Sequence, residues 1–406
     1  MQLSLNKKPN HIILCFTDAV KKGLYILPEA IKDIALYDGT FVSKMSCGLS
    51  PEDMETENLI GNEPHQIMAQ LGAETFTNHH VIENTLKYLK DNNMFRNSFL
   101  SYFRFLNITA FRCINWKKFA KNHNIMPHGI ATGRGNIYTY RTNRYCLSTS
   151  VCKDVDMCGA QEHVWSANFG ETLAAFTTHP AGNGNGRYGS SPGYWIGNGR
   201  RPMSIQHKNV NITIYKLPDR IRLGETSVAN ITHAYMPKEH YDEFELNNNT
   251  VFARKNGVYI AMISNGELKY KPFDSSSAAA LHKNKELPDE FKLKSEFDLC
   301  RYGGDYHIYV TEISDAETES FEEFKVRIKN NSIKFINESV LYTTDSDQIK
   351  VSYDGIFTIN GIPAEKTFKR YDNKFCNCER KSDALLIDSG KHRLFLDFEN
   401  VKRNEY

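Results

Sequence analysis

From about Asn136 onward the apolar residues recur at every second position, in short runs broken by tight-turn dipeptides. This feature constrains the fold more than any other. In NVNITIYKL, Val210, Ile212 and Ile214 alternate with Asn211, Thr213 and Tyr215, and a two-residue period sends the two sets to opposite faces of a strand. Similar runs occur in TVFARKNGVYIAMIS, GGDYHIYVTEI, IKVSYDGIFTINGIP and KHRLFLDFE. Asn-Gly, Asp-Gly and Gly-Gly pairs punctuate them, and these residues accept the left-handed backbone of two-residue hairpins. Many strands with tight turns and few helices predict an antiparallel sandwich. One helix is predicted inside it, at SFEEFKVRIKN, where Phe321, Phe324 and Ile328 share a face.

The first third reads differently. From Ala19 to His123 the spacing is helical: LYILPEAIKDIAL places Ile26, Ile31, Ile34 and Leu36 near a period of about 3.6 residues, with Pro28 where a first turn tolerates it. Further helices are predicted at 64–71, 81–90, 97–111 and 115–122. Asn78 is a cap for the second of these, and Asp91-Asn92-Asn93 is its stop. Helices joined by short loops predict an antiparallel array. The expected class is α+β, with a helical region over residues 1–130 and a β-sandwich region over 131–406.

Composition narrows the function more by exclusion than by indication. Fifty Lys and Arg against 48 Asp and Glu leave a net charge of +2, without the concentrated basic face that nucleic acid or an anionic membrane requires. No apolar run reaches the ~18 residues of a membrane-spanning helix. The N-terminal MQLSLNKKPNHIILCF has only a short apolar stretch and no small-residue cleavage site, so a secretory signal is not expected. Nine cysteines, an odd count, lack zinc-ribbon spacing and read as reduced thiols of a cytoplasmic protein.

Chemistry-bearing residues concentrate between Asn136 and Asn209. Gln161, His163 and Trp165 alternate, so a strand would turn all three to one face and Glu162 and Val164 to the other; Thr177 and His179 do the same on the next strand. After Pro180 comes a long glycine-rich loop carrying Arg187, Tyr188, Tyr194, Trp195, Asn198, Arg200 and Arg201. A loop of this length without periodicity is more often functional or disordered than ordinary, and its residue types favour function. Aromatic rings offer flat faces to sugars, and guanidinium groups pair with carboxylate or sulfate. Each residue also has a plainer reading: His163 as a satisfied core histidine, Trp165 and Trp195 as packing, Arg200 and Arg201 as a solvated turn, His207 as structural. Their density around one glycine-rich loop favours the functional reading.

YTYRTNRYCLSTS, AQEHVWSANFG, AFTTHP and PGYWIGNGRRP-x4-HKNV resemble segments of bacterial proteins related to the heparinase II/III-like polysaccharide lyases. The resemblance continues through THAYMPKEHYDE, VFARKNGVYIAMI, FEEFKVRIK and KRYDNKF, covering most of the chain after about Leu36. It implies an α/α toroid followed by stacked antiparallel β-sheets. The related proteins are longer at the N-terminus, which implies a partial toroid here and an oligomer or partner chain that completes it.

The implied reaction is β-elimination at a uronic acid of an oligo- or polysaccharide. It requires a group that neutralises the carboxylate (Asn62, Gln161 or Arg141), a base (His163 or His179) and an acid (Tyr138 or Tyr140). The favoured catalytic set is Tyr140, Arg141, Gln161 and His163, where helices give way to sheet. Asn62, Trp165, His179, Arg187, Tyr194, Trp195, Asn198 and Arg200 are the expected substrate contacts. Two alternatives stand beside it. A glycoside hydrolase would use Glu63 and Glu162 as carboxylates about 5–9 Å apart; a non-catalytic remnant would hold a glycan or a partner without turnover. No residue is assigned as a metal ligand, although His163, His179 and His207 on three predicted strands leave a structural zinc open.

Overall fold

Alternation and turn chemistry produce strands where they are expected. The computed structural model describes residues 22–23, 26–49, 53, 56–59, 63, 66, 87, 89–96, 134–156, 159–160, 163–169, 173–179, 197–218, 231–270 and 298–406. In chain order the strands begin with β1 (Phe41–Cys47), β2 (Gly135–Arg141), β3 (Tyr145–Ser150), β4 (Gly159–Ala160), β5 (Trp165–Phe169), β6 (Leu173–Thr178) and β7 (Gly197–Asn198). They continue as β8 (Met203–His207), β9 (Val210–Lys216), β10 (Ile231–Tyr235), β11 (Glu243–Asn247), β12 (Thr250–Lys255), β13 (Val258–Ser264), β14 (Leu268–Tyr270), β15 (Asp298–Tyr302) and β16 (Tyr306–Asp315). The C-terminal third adds β17 (Ser332–Ile336), β18 (Ser339–Thr343), β19 (Gln348–Ser352), β20 (Phe357–Ile359), β21 (Ile362–Pro363), β22 (Tyr371–Asn373), β23 (Cys376–Cys378), β24 (Ala384–Asp388), β25 (Arg393–Asp397) and β26 (Lys402–Glu405).

Neighbouring strands pair antiparallel throughout. A ten-stranded sheet runs β14-β15-β10-β6-β5-β3-β2-β1-β22-β23, and a six-stranded sheet runs β11-β12-β13-β16-β9-β8. Smaller sheets are β17 to β21 in order, β24-β25-β26, and the pair β4-β7. The β12–β13 hairpin turns on Asn256 (φ 49°) and Gly257 (φ 73°), and β20–β21 turns on Asn360 (φ 52°) and Gly361 (φ 79°), left-handed positions that Asn and Gly accept at least cost.

The two large sheets face each other across buried side chains: Leu147, Trp165, Ala167 and Ala175 from the ten-stranded sheet meet Tyr215, Ile260, Met262 and Tyr309 from the six-stranded one. Polar bonds lock the layers as well. Gln206 Nε2 donates to the Leu147 carbonyl (2.9 Å), and Asn211 Nδ2 donates to Thr149 Oγ1 (2.9 Å). A second apolar cluster joins the six-stranded sheet, through Ile212, Phe252 and Val310, to the five-stranded sheet, through Tyr342, Ile349 and Val351.

Between these sheets lies helix α2 (Phe321–Asn330), where the sequence predicts a helix; α1 (Glu29–Ala35) comes before the first strand, and two short 3₁₀ turns span Met94–Arg96 and Lys238–His240. Ser320 and Glu323 form a reciprocal capping box at its start, and Phe321, Phe324 and Ile328 are buried as their shared face requires.

The N-terminal expectation is overturned. Among the described residues there is no helical array and no partial α/α toroid: they are mostly antiparallel strands with short, separate helices. Phe41–Cys47, inside the region expected to be helical, is a strand registered residue for residue on β2 from Phe41↔Arg141 to Cys47↔Gly135. The α1 segment carries the expected spacing, yet Ile26 is 71% and Leu36 82% exposed. Its periodicity therefore does not mark a face packed on neighbouring helices. Of the helices expected over 64–71 and 81–90, the described residues Gln66, Lys87, Leu89 and Lys90 are helical; the rest of both, and the helices expected over 97–111 and 115–122, lie outside the described residues.

Candidate functional site

Strand alternation decides which expected site residues can meet. Tyr140 and Arg141 are adjacent on β2 and point to opposite faces of the ten-stranded sheet. Tyr140 faces inward, packed against both apolar clusters. Arg141 reaches the end of α1, where its guanidinium donates to the carbonyls of Ile34 (3.3 Å), Ala35 (3.2 Å) and Tyr37 (3.4 Å). It thus satisfies carbonyls at and just beyond the helix C-terminus. Tyr140 and Arg141 therefore lie on opposite sides of this sheet.

Trp165 is likewise interior. Its indole N–H donates to Thr177 Oγ1 (2.7 Å), which also bonds the Tyr215 hydroxyl (2.9 Å) across the layers. His163 stacks on Phe176 with ring centroids 3.8 Å apart, and Phe176 stacks on Tyr235 at 5.1 Å. His179, Asn198 and Arg200 are brought together: Asn198 Oδ1 accepts from the His179 backbone N–H (2.9 Å), and His179 Nδ1 accepts from the Arg200 backbone N–H (3.2 Å). Arg200 and Arg201 are buried. They face Asp156 (4.0 Å) and Asp154 (3.4 Å), so these arginines are structural ion-pair members rather than a solvated turn. Asn62, Gln161, Glu162, Arg187, Tyr194 and Trp195 lie outside the described residues. Glu63 is exposed, and its backbone N–H donates to Gln66 Oε1 (3.0 Å).

A cavity of about 410 Å³ opens elsewhere, where the two large sheets, the five-stranded sheet and α2 converge. Tyr140 and Tyr145 form one wall, with ring centroids 6.0 Å apart. The β8–β9 turn supplies His207, Lys208 and Asn209. This turn is held at both ends. The Lys208 backbone N–H donates to the Tyr138 hydroxyl (3.2 Å), and Asn209 Nδ2 donates to the Ile313 carbonyl (2.7 Å). Lys208 adopts φ 49°, a left-handed conformation costly for a residue with a Cβ, so these anchors hold a turn that Lys208 would not choose alone.

The opposite wall is charged. Glu312, Ser314, Thr318 and Glu319 come from the end of β16 and the segment after it, Arg327 comes from α2, and Thr344 to Asp347 come from the β18–β19 turn. Arg327 is forked between two carboxylates: its Nη1 bonds Glu312, and its Nε (3.1 Å) and Nη2 (2.8 Å) bond Glu319. The Glu312 side chain is only 4% exposed, and its other oxygen accepts from the Tyr342 hydroxyl (2.7 Å). Ser314 Oγ donates to Glu319 (2.6 Å). Burial alone would raise the Glu319 carboxyl, but the bonds from Arg327 and Ser314 outweigh it and hold the group below the usual range.

Two proton-bearing groups are tuned in this cavity. Burial lowers the pKa of His207, against the opposing pull of Asp347, whose Oδ2 lies 3.3 Å from its Nε2. The imidazole is therefore neutral near pH 7. Burial raises Tyr140, reinforced by the charge of Asp315, so its hydroxyl keeps its proton. Asp347 stays ionised: burial would raise it, but hydrogen bonds from Lys208 and Ser346 and the nearby His207 and Lys208 bring it to about 2. The arrangement offers a neutral imidazole beside a carboxylate, a protonated phenol and many hydrogen-bonding groups.

Among the expected site residues, Tyr140 belongs to this cavity. Lys208, Tyr145, Glu312, Glu319, Arg327 and Asp347 were not anticipated, and His207 was read as structural. They come from five separated stretches of chain, and no local motif links them; HKNV marks the turn but not its function. The described residues contain no group of three or more His, Cys, Asp or Glu able to hold a metal ion, and none of their helices is long and apolar enough to cross a membrane. Comparisons with protein-family models, with curated proteins and with solved structures return no match to this chain.

Proposed function

We propose that the cavity between the sheets binds a saccharide unit. The observation that carries this reading is its lining: two tyrosine rings on one wall, with the hydroxyls of Ser314, Thr318, Thr344 and Ser346 and the charged groups of β16, α2 and the two turns around them. Its volume falls within the ~300–1,000 Å³ of small-molecule sites, but those are mostly apolar. A lining this polar suits a ligand that presents hydroxyls at its edge and an apolar ring face to aromatic side chains. The sugar reading carries over from the sequence, whereas its location moves from a toroid cleft to this cavity.

A second reading adds proton transfer on the bound sugar. His207 neutral beside Asp347, and Tyr140 protonated, supply a base and an acid on one cavity. The proposal includes a cytoplasmic location, supported by the free thiols of Cys47, Cys146, Cys152, Cys300, Cys376 and Cys378, as a reducing compartment keeps them.

Saturation-transfer NMR with a panel of neutral, acidic and amino oligosaccharides tests the binding. Transfer to ring protons that weakens by about tenfold in affinity in Tyr140→Phe, about one charge-free hydrogen bond, supports the cavity. Transfer unchanged in that variant and in Lys208→Ala would move the ligand elsewhere. Incubation with the ligand that binds, followed by reducing-end release, separates turnover from binding alone.

A further inference from the structure

We infer that this cavity selects a sugar bearing a free amine over one bearing a carboxylate. The inference rests on the saccharide reading above and deepens it by naming the ligand class.

Charge and geometry together lead there. The cavity is lined by the carboxylates of Glu312, Glu319, Asp345 and Asp347 against the cations of Lys208 and Arg327. Four negative groups and two positive ones leave two net negative charges while His207 is neutral. Neither cation is available to an incoming anion. The guanidinium of Arg327 is spent on Glu312 and Glu319, and Lys208 Nζ sits 3.0 Å from Asp347. A uronate or sulfated sugar would have to enter without a counterion, facing like charge.

An ammonium meets the opposite situation. Asp345 is exposed at the β18–β19 turn and makes no ion pair among the described residues, so it is open to an incoming cation. The Tyr140 and Tyr145 rings line the same cavity, and aromatic rings attract cations placed over their faces. Asp315 adds to the negative field on this wall, since its charge acts on both tyrosine hydroxyls. The tyrosine wall and the hydroxyls fit a sugar ring, and the residual charge fits an amine on it.

Calorimetric titration of the full chain with three oligosaccharides of equal length tests this: glucosamine, N-acetylglucosamine and glucuronate oligomers. The expected order places the amine oligomer tightest and the glucuronate oligomer weakest, with the amine preference shrinking as salt screens it. Asp345→Asn should lower the ratio of amine to N-acetyl affinity by about threefold, the Coulomb energy of one charge pair ~6 Å apart in water. This residue is exposed, so the variant keeps the fold. Glucuronate bound as tightly as the amine oligomer overturns the charge selection and leaves the saccharide reading standing. An amine preference that survives high salt and Asp345→Asn unchanged also overturns it. Binding of none of the three overturns the saccharide reading and this inference with it.

Discussion

Replacing Arg327 with Met tests the ionic centre of the cavity wall. Met keeps an aliphatic side chain of similar length but removes the charge and the guanidinium, which lies over the Phe324 ring at 5.4 Å. Glu312, 4% exposed, then keeps the Tyr342 hydroxyl as a donor but has no counterion. Removing one partner of a buried ion pair costs about 3–5 kcal/mol. The lower end applies here, about 3 kcal/mol, because Arg327 itself is 30% exposed and solvent screens part of the interaction.

The loss traces to the buried carboxylate left without a counterion. Urea denaturation of Arg327→Met, compared with the double variant Arg327→Met/Glu312→Gln, reads this directly. The double variant should recover most of the loss, since an amide needs no counterion. A double variant no more stable than the single one would refute the ionic account and leave packing as the cause.

Two further outcomes follow from the interlayer polar bonds. Thr177→Val leaves the Trp165 indole N–H and the Tyr215 hydroxyl without their shared partner, at a cost of about 2–4 kcal/mol, measurable by thermal unfolding; a loss under about 1 kcal/mol would mean that water replaces the hydroxyl. Burial drives His307 down to about 4, against the opposing bond to the Gly303 carbonyl, so its neutral form stabilises the fold fully above pH 6.5. That contribution, of order 3 kcal/mol, is lost as pH falls from 6.5 toward 4. His307→Gln should flatten the fall in denaturation midpoint over this window, and an unchanged slope would count against it.

Local pattern was sufficient for local structure. The two-residue period in NVNITIYKL became β9, Asn256-Gly257 and Asn360-Gly361 became hairpin turns, and Ser320 with Glu323 capped α2. In each case the determining residues lie within one turn or one strand, so sequence neighbours carry the information. The 3.6-residue spacing around Ile26 and Leu36 was insufficient, because helical periodicity predicts an apolar face but not what covers it, and here both side chains are exposed. The strand Phe41–Cys47 was missed for a related reason: its stability comes from pairing with β2, far away in sequence.

The adjacency of Tyr140 and Arg141 already carried the alternation that sends them to opposite faces, so their separation was legible in the sequence. The cavity was not. Tyr140, the β8–β9 turn, the end of β16, Arg327 and Asp347 meet because sheet order and interlayer packing bring five distant stretches together. The neutral state of His207 depends on burial by those same layers. Strands, turns and caps are thus determined by near neighbours in the chain. The charge and protonation of the site were decided by tertiary structure alone, since desolvation and Coulomb interactions depend on distance in space.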